Sequence, residues 1–296
     1  MSTTADTQRS GMAYGLGAFL FWGFAPLYFK AVDHVPAMEL LGHRIVWAIP
    51  LLAGMVWLQR AWRPMDRRAF GLLLISAALI GINWLFYIIA INTDRVLEAA
   101  LGYYINPLVS VVLGMLFLGE RMRPFQWVAV ALAAAGTTWM AVAAGGVPWL
   151  ALILAFSFGF YGLVRKMVRV ESLQGLFVET IVLAPLAYGY VVWLGVTGAG
   201  SFLAGGVTND LLLFAAGIVT TVPLYWFTQG ARRLPLTTIG FMQYLAPTIG
   251  FLLAVFVFKE PFGTDRFVAF GCIWAAVALY MGGVFWVNRR SAHAGV

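Results

Sequence analysis

Apolar residues run along the chain in ten long blocks separated by short polar breaks. The blocks cover approximately 11–30, 38–58, 69–91, 96–119, 124–143, 148–166, 172–195, 209–230, 236–258 and 264–287. Each is close to the ~20 residues with which an α-helix crosses a hydrocarbon core. The pattern predicts an all-α integral membrane protein with ten transmembrane helices. The breaks are too short to hold a soluble domain. The longest, from Gly195 to Asn209, is rich in Gly and small residues and predicts a flexible loop.

One block occurs twice. Glu98 to Glu120 reads EAALGYYINPLVSVVLGMLFLGE, and Thr237 to Glu260 reads TTIGFMQYLAPTIGFLLAVFVFKE. A shift of 140 residues takes Tyr104 to Tyr244, Pro107 to Pro247 and Glu120 to Glu260 without a gap. A weaker match takes Gly23-Phe24 and Lys30 to Gly159-Phe160 and Lys166. The copies are the fourth and ninth blocks, and an interval of five reverses direction across a membrane. The pattern therefore predicts two inverted five-helix repeats, the plan of carriers that alternate access to a central site. The expected divisions are a cytoplasmic tail over 1–10, a first repeat over 11–143, a second over 148–287 and a cytoplasmic tail over 288–296.

Charge supplies an orientation. With the first residue inside, the inner side, counting breaks and block ends together, carries 14 Lys and Arg and the outer side 4, while Arg44 lies within the second block. That asymmetry predicts both termini in the cytoplasm. The polar start of the chain has neither the basic region nor the cleavage site of a secretory signal, so the first helix is expected to remain uncleaved.

Composition narrows the function classes. Hydrophobic residues make up 62% of the chain and charged residues 10%, with a net charge of +7; soluble domains carry about 25% charged residues. The basic residues sit in short clusters between apolar blocks, which suits membrane topology and not nucleic-acid binding. The only cysteine, Cys272, lies inside an apolar block. No HExxH, CxxC, Gly-x-Ser-x-Gly or GxxxxGK[ST] string occurs. Metal, cofactor and ATP hydrolysis are therefore not expected.

Polar residues inside the blocks are the candidates for chemistry. Glu179 lies about 10 Å into the seventh helix at ~1.5 Å per residue. A charge there is costly unless paired, hydrated or protonated. Two readings stand for it, a proton or cation contact and a structural hydrogen bond. Glu39, His43 and Arg44 open the second helix, with Glu39 and His43 on one face. Arg44 needs a partner, and Glu39 and Glu98 start in the same outer half. An outward gate or anion contact, and a static ion pair, are both open there. Prolines at 26, 50, 107, 185, 223 and 247 free backbone carbonyls, which a membrane tolerates only where protein or a cavity satisfies them. Tyr103, Tyr104, Asn106, Gln243 and Tyr244 flank two of these, and Thr220 and Thr221 flank a third. Asn83, Trp84 and Trp22 add deep polar or aromatic positions. These ten are expected to line a solute cavity, with kinks and ordinary packing as the alternative. Glu120 and Glu260 read as helix-end or capping residues.

The strings FWGFAPLYFK, ELLGHRIVW, LIGINWLFYIIAIN, LEAALGYYINPLVSVVLGMLFLGER, LAFSFGFYGLVRK, GIVTTVPL and FMQYLAPTIGFLLAVF extend from the first helix to the tenth. They resemble the RarD branch of the EamA-type drug/metabolite transporters. The resemblance implies a five-plus-five inverted-repeat carrier of the bacterial inner membrane. It also implies a cavity lined mainly by the first, third, fourth, sixth, eighth and ninth helices. The expected activity is export of a small organic solute, a metabolite or a chloramphenicol-like drug, by alternating access with proton coupling. The expected partners are that solute and the lipid bilayer; no obligatory protein partner is implied, and a homodimer is compatible. A membrane enzyme acting on a lipid or isoprenoid is the alternative, with Glu39, His43 and Arg44 as its one loose cluster. A scaffold or sensor should carry larger loops or an added domain.

Overall fold

The computed structural model describes residues 4–93, 95–143, 148–259 and 264–293. Eleven α-helices follow one another: α1 (Thr4–Ala31), α2 (Ala37–Leu58), α3 (Arg67–Asn92), α4 (Val96–Leu118), α5 (Pro124–Ala143), α6 (Trp149–Met167), α7 (Ser172–Thr197), α8 (Val207–Arg233), α9 (Leu236–Gln243), α10 (Leu245–Leu252) and α11 (Thr264–His293). Together they supply ten helical spans long and apolar enough to cross a membrane, as the hydropathy pattern predicts.

The ninth span is divided. It runs over Leu236–Val257 but breaks at Tyr244 between α9 and α10, then closes in a π-turn over Leu253–Val257. Pro247 lacks an N–H, and its ring clashes with the carbonyl four residues back, at Gln243. The chain tightens there, with the Tyr244 N–H on the Phe241 carbonyl at 3.3 Å. Its counterpart Pro107 leaves α4 continuous. The helices also reach beyond the apolar blocks. α1 begins at Thr4 and α11 reaches His293, so most of both expected tails is helical.

The helices pack largely across the two halves, and the pattern has a two-fold character. α1 lies against α8, and their counterparts α6 and α3 lie against each other. α4 packs on α6, while α1, the counterpart of α6, packs on the α9–α10 span, the counterpart of α4. Three pairs join a helix to its own counterpart: α2 with α7, α4 with α9, and α5 with α11. Five spans per half is an odd number, so counterparts run in opposite directions. Small residues allow this closeness, as is usual where lipid supplies no hydrophobic drive between helices. A Cβ at Gly217 of α8 would stand 2.7 Å from the Trp47 carbonyl oxygen of α2, and one at Gly240 of α9 2.8 Å from the Pro107 carbonyl oxygen of α4. Leu116, Leu186 and Val196 are among the large apolar side chains left facing outward.

The α7–α8 connection differs from its expectation. Its glycines do serve the backbone: Gly198 and Gly206 hold positive φ of 68° and 85°. The loop is nevertheless tied down. Glu39 Oε1 accepts from the Ser201 amide (2.6 Å), the Ser201 hydroxyl (2.9 Å) and the Phe202 amide (3.3 Å). Asp210 Oδ1 accepts from the Leu203 amide, and Asn209 Nδ2 donates to the Ser201 carbonyl.

Candidate functional site

A small cavity lies where α2, α3, α7 and α8 meet. Arg44, Ile45, Ala48 and Leu52 line it from α2 and Trp84 from α3. Leu176 and Thr180 complete it from α7, with Thr220, Thr221 and Leu224 from α8. Its volume is about 10 Å³, on the scale of one water molecule. Small-molecule sites begin near ~300 Å³, so the spans stand close together here. Of the six helices expected to line a cavity, the third and eighth line this one. The second and seventh, which face each other across the repeat, take the other walls.

Arg44 is the charged member. Gly217 brings α8 against α2, and one turn later Thr220 Oγ1 accepts from Arg44 Nε at 2.8 Å. The same hydroxyl donates to the Ala216 carbonyl, which fixes its orientation. The guanidinium carbon lies 5.2 Å from the Trp84 ring centre and 5.8 Å from that of Phe29, in cation–π range. Tyr28, Tyr87 and Tyr103 stand within electrostatic reach. Thr221 is 1% exposed, lines the cavity, and its hydroxyl has no partner among the described residues.

Glu179 lies beside this cavity on α7 and is fully engaged. Its Oε1 accepts from Ser76 Oγ (2.5 Å) and Arg165 Nη1 (3.2 Å), and its Oε2 from the Tyr161 hydroxyl (3.4 Å). Arg165 also donates from Nη2 to the Ser172 carbonyl at 3.0 Å. Both ion-pair partners are almost wholly buried. Gly175, one turn before Glu179, leaves the space that the guanidinium fills. Such a pair joins α6 to α7 at the price of two desolvated charges, and removing one partner strands the other.

Glu39 and Arg44 do not pair. The Glu39 carboxylate turns to the α7–α8 loop, and Arg44 turns to α8. His43 Nε2 lies 3.9 Å from Glu39 Oε1, while His43 Nδ1 accepts from Trp47 Nε1 at 3.1 Å. The backbone of Glu98 falls in the first turn of α4; its side chain and all of Glu260 lie outside the described residues.

The proline-flanking residues gather at the crossing of α4 and α9 and do not line the cavity. Tyr104 and Tyr244 are buried, and the Tyr244 hydroxyl donates to the Tyr104 carbonyl at 3.3 Å. Gln243 Nε2 donates to Ser110 Oγ at 3.0 Å. Asn106 Oδ1 and Gln243 Oε1 are buried without a partner among the described residues. Tyr103 turns away from Tyr104, edge-on to Tyr87 with ring centres 6.1 Å apart. Asn83 links α3 to α6 by donating to the Leu154 carbonyl and Ser157 Oγ. Trp22 packs among Phe19, Phe158 and Phe227.

Glu120 is a cap, and the helix it caps belongs to the other half. Its two carboxylate oxygens accept from the Leu236 and Thr237 amides, at 2.6 and 2.9 Å, at the start of α9. A carboxylate there satisfies orphan donors and complements the helix dipole. Lys166 stands 3.9 Å away and donates to the Leu234 and Ala231 carbonyls.

Arg165, Tyr161 and Ser76 were not singled out by sequence. Arg165 reads as one more basic residue at a helix end. The spacing of Gly175 and Glu179 on α7 is a signal only once α6 is known to lie alongside.

The sequence profile of the EamA-like transporter family matches residues 9–142 and again 146–282. A protein described as an uncharacterized transporter of Vibrio cholerae is 47% identical over 287 residues, covering 95% of each chain. Protein RarD of Escherichia coli K12 is 44% identical over 293 residues, covering 97% of this chain and 99% of that protein. A crystal structure of a protein 19% identical superposes with a TM-score of 0.72 over 92% of this chain and 97% of its own, which speaks for the fold.

Proposed function

We propose, from the premise that the chain belongs to the EamA-like transporter family, that it is a secondary carrier moving a small organic solute through the cavity between α2, α3, α7 and α8. Its relatives are transporters and not enzymes, which sets aside the lipid-modifying alternative. The observation that carries the reading is the cavity's position between helices of both halves, with an arginine and three threonines on its wall. Interlocked inverted halves are suited to exchanging which face is open.

In this reading the membrane is a bacterial inner membrane, with both termini in the cytoplasm on the strength of the charge asymmetry. Transport runs outward by alternating access. The small cavity corresponds to a state with the solute path shut. Glu120, holding the start of α9 beside Lys166, closes the face that carries both chain ends. Glu179 is the proton-coupling group: protonation would replace the ion pair with a neutral acid and leave Arg165 held by the Ser172 carbonyl.

The test is flux in proteoliposomes with an imposed pH gradient, using labelled amphenicol drugs, amino acids and nucleosides. Gradient-driven movement of one class, abolished by Glu179→Gln, is the expected result. Flux indifferent to the gradient removes the proton-coupled form, and no flux of any class removes the carrier reading.

A further inference from the structure

The charge balance of the cavity is one-sided. Arg44 makes its one hydrogen bond, among the described residues, to the neutral Thr220, and none of the described carboxylates pairs with it. The described carboxylates of the four surrounding helices are committed elsewhere. Glu39 holds the α7–α8 loop, Glu179 holds Arg165, and Asp210 holds the Leu203 amide. A guanidinium at membrane depth without a counter-ion is expensive. Beside it stands the Thr221 hydroxyl, buried, unpartnered and on the same cavity wall. Two polar groups are thus left open toward one space. The rest of the wall is Trp84, aliphatic side chains, and Thr180 and Thr220, whose hydroxyls donate to the Leu176 and Ala216 carbonyls.

We infer that the cavity, once the spans around it part, takes an organic monoanion, with its carboxylate on Arg44 and Thr221 and a flat apolar body against Trp84. The inference rests on the carrier reading and names its substrate class. A guanidinium presents a planar fork of donors that matches a carboxylate, and the hydroxyl adds a third donor beside it. The Trp84 face and the Ile45, Leu52 and Leu224 side chains accept the uncharged part. One cation matches one negative charge. A phosphate monoester carries nearly two, and Arg44 is the only basic residue on the wall among the described residues. A cationic solute meets a guanidinium with no carboxylate partner among the described residues and is repelled.

The test uses three matched probes of one shape: labelled 3-phenylpropionate, 3-phenylpropanamide and 3-phenylpropylamine. Binding to the full chain in nanodiscs is measured by scintillation proximity. The carboxylate is expected to bind about tenfold or more tightly than the amide, the scale of a charge-assisted contact. Arg44→Gln should reduce that preference to about twofold or less. Thr221→Val should weaken the carboxylate several-fold and leave the amide unchanged. Arg44→Lys, which keeps the charge and loses the fork, should retain part of the preference. Thr221→Val and Arg44→Lys carry the test if Arg44→Gln does not fold. Equal binding of acid and amide, tighter binding of the amine, a preference that survives in Arg44→Gln, or no binding of any probe overturns the inference. Counterflow of the same probes in proteoliposomes is read separately. A carboxylate that binds but does not cross leaves the anion site standing and removes the carrier reading. An amide or amine that crosses while the carboxylate does not bind does the reverse.

Discussion

The Tyr244 hydroxyl donates to the carbonyl of Tyr104, the residue 140 positions before it in the chain. The two are counterparts in the repeat, and they meet where α4 crosses α9. A contact between a residue and its own counterpart places the local two-fold axis through that crossing. α2 likewise packs on its counterpart α7, and α5 on α11. The crossing is held by this bond, by Gln243 on Ser110, and by the closeness that Gly240 permits.

Tyr244→Phe removes the hydrogen bond and keeps the ring beside Phe241. A loss of about 1 kcal/mol is expected, the usual net worth of such a bond. Gly240→Ala should cost more, because its methyl group meets the Pro107 carbonyl and α9 must shift. Thermal unfolding of the two purified variants checks the order. Equal stability of Gly240→Ala and the parent would place the crossing elsewhere.

Glu179 and Arg165 should behave as a coupled unit. Glu179→Gln or Arg165→Gln alone strands a buried charge and is expected to cost about 3–5 kcal/mol. The double variant should recover much of that loss in stability, but not proton-coupled flux. A double-mutant cycle on unfolding, with flux measured beside it, separates the two roles. Additive single effects would mean that the pair is not an energetic unit.

Glu120→Ala should loosen the start of α9, which loses its acceptor for two backbone N–H groups. The expected cost is about 1–2 kcal/mol, the range for a lost helix cap. Glu120→Gln, which keeps an acceptor oxygen and loses the charge, should cost less. Hydrogen exchange of the amides over 236–240 is the readout, and unchanged protection in Glu120→Ala would contradict the cap.

Glu39→Ala removes the acceptor that holds the Ser201 and Phe202 amides. Protease sensitivity over 198–206 should rise and stability fall by about 1–3 kcal/mol, the penalty for unsatisfied buried donors. Glu39→Gln keeps one acceptor oxygen and should lie between. If Glu39→Ala leaves that segment as resistant as before, other bonds order the loop.

The ten spans and their duplication are written openly in the chain, because a bilayer imposes a long-wavelength signal. About twenty apolar residues per crossing, charges at the breaks and a 140-residue repeat need no knowledge of which helix touches which. The chain also shows which polar residues are buried deeply enough to require partners. It does not show the partners. Arg44 and Glu39 share a helix and an outer half, yet Arg44 bonds Thr220, 176 positions away, and Glu39 bonds Ser201, 162 positions away. Arg165, which reads from sequence as one more basic residue at a helix end, becomes the buried partner of Glu179. Tyr104 and Gln243, read as cavity surface, fill the α4–α9 crossing. These outcomes depend on how each helix is rotated about its axis and how closely glycines let a neighbour approach. Packing sets both, and several donors and acceptors lie at every depth of the membrane. Hydropathy fixes the depth of a side chain, and only the assembled bundle decides what stands opposite it.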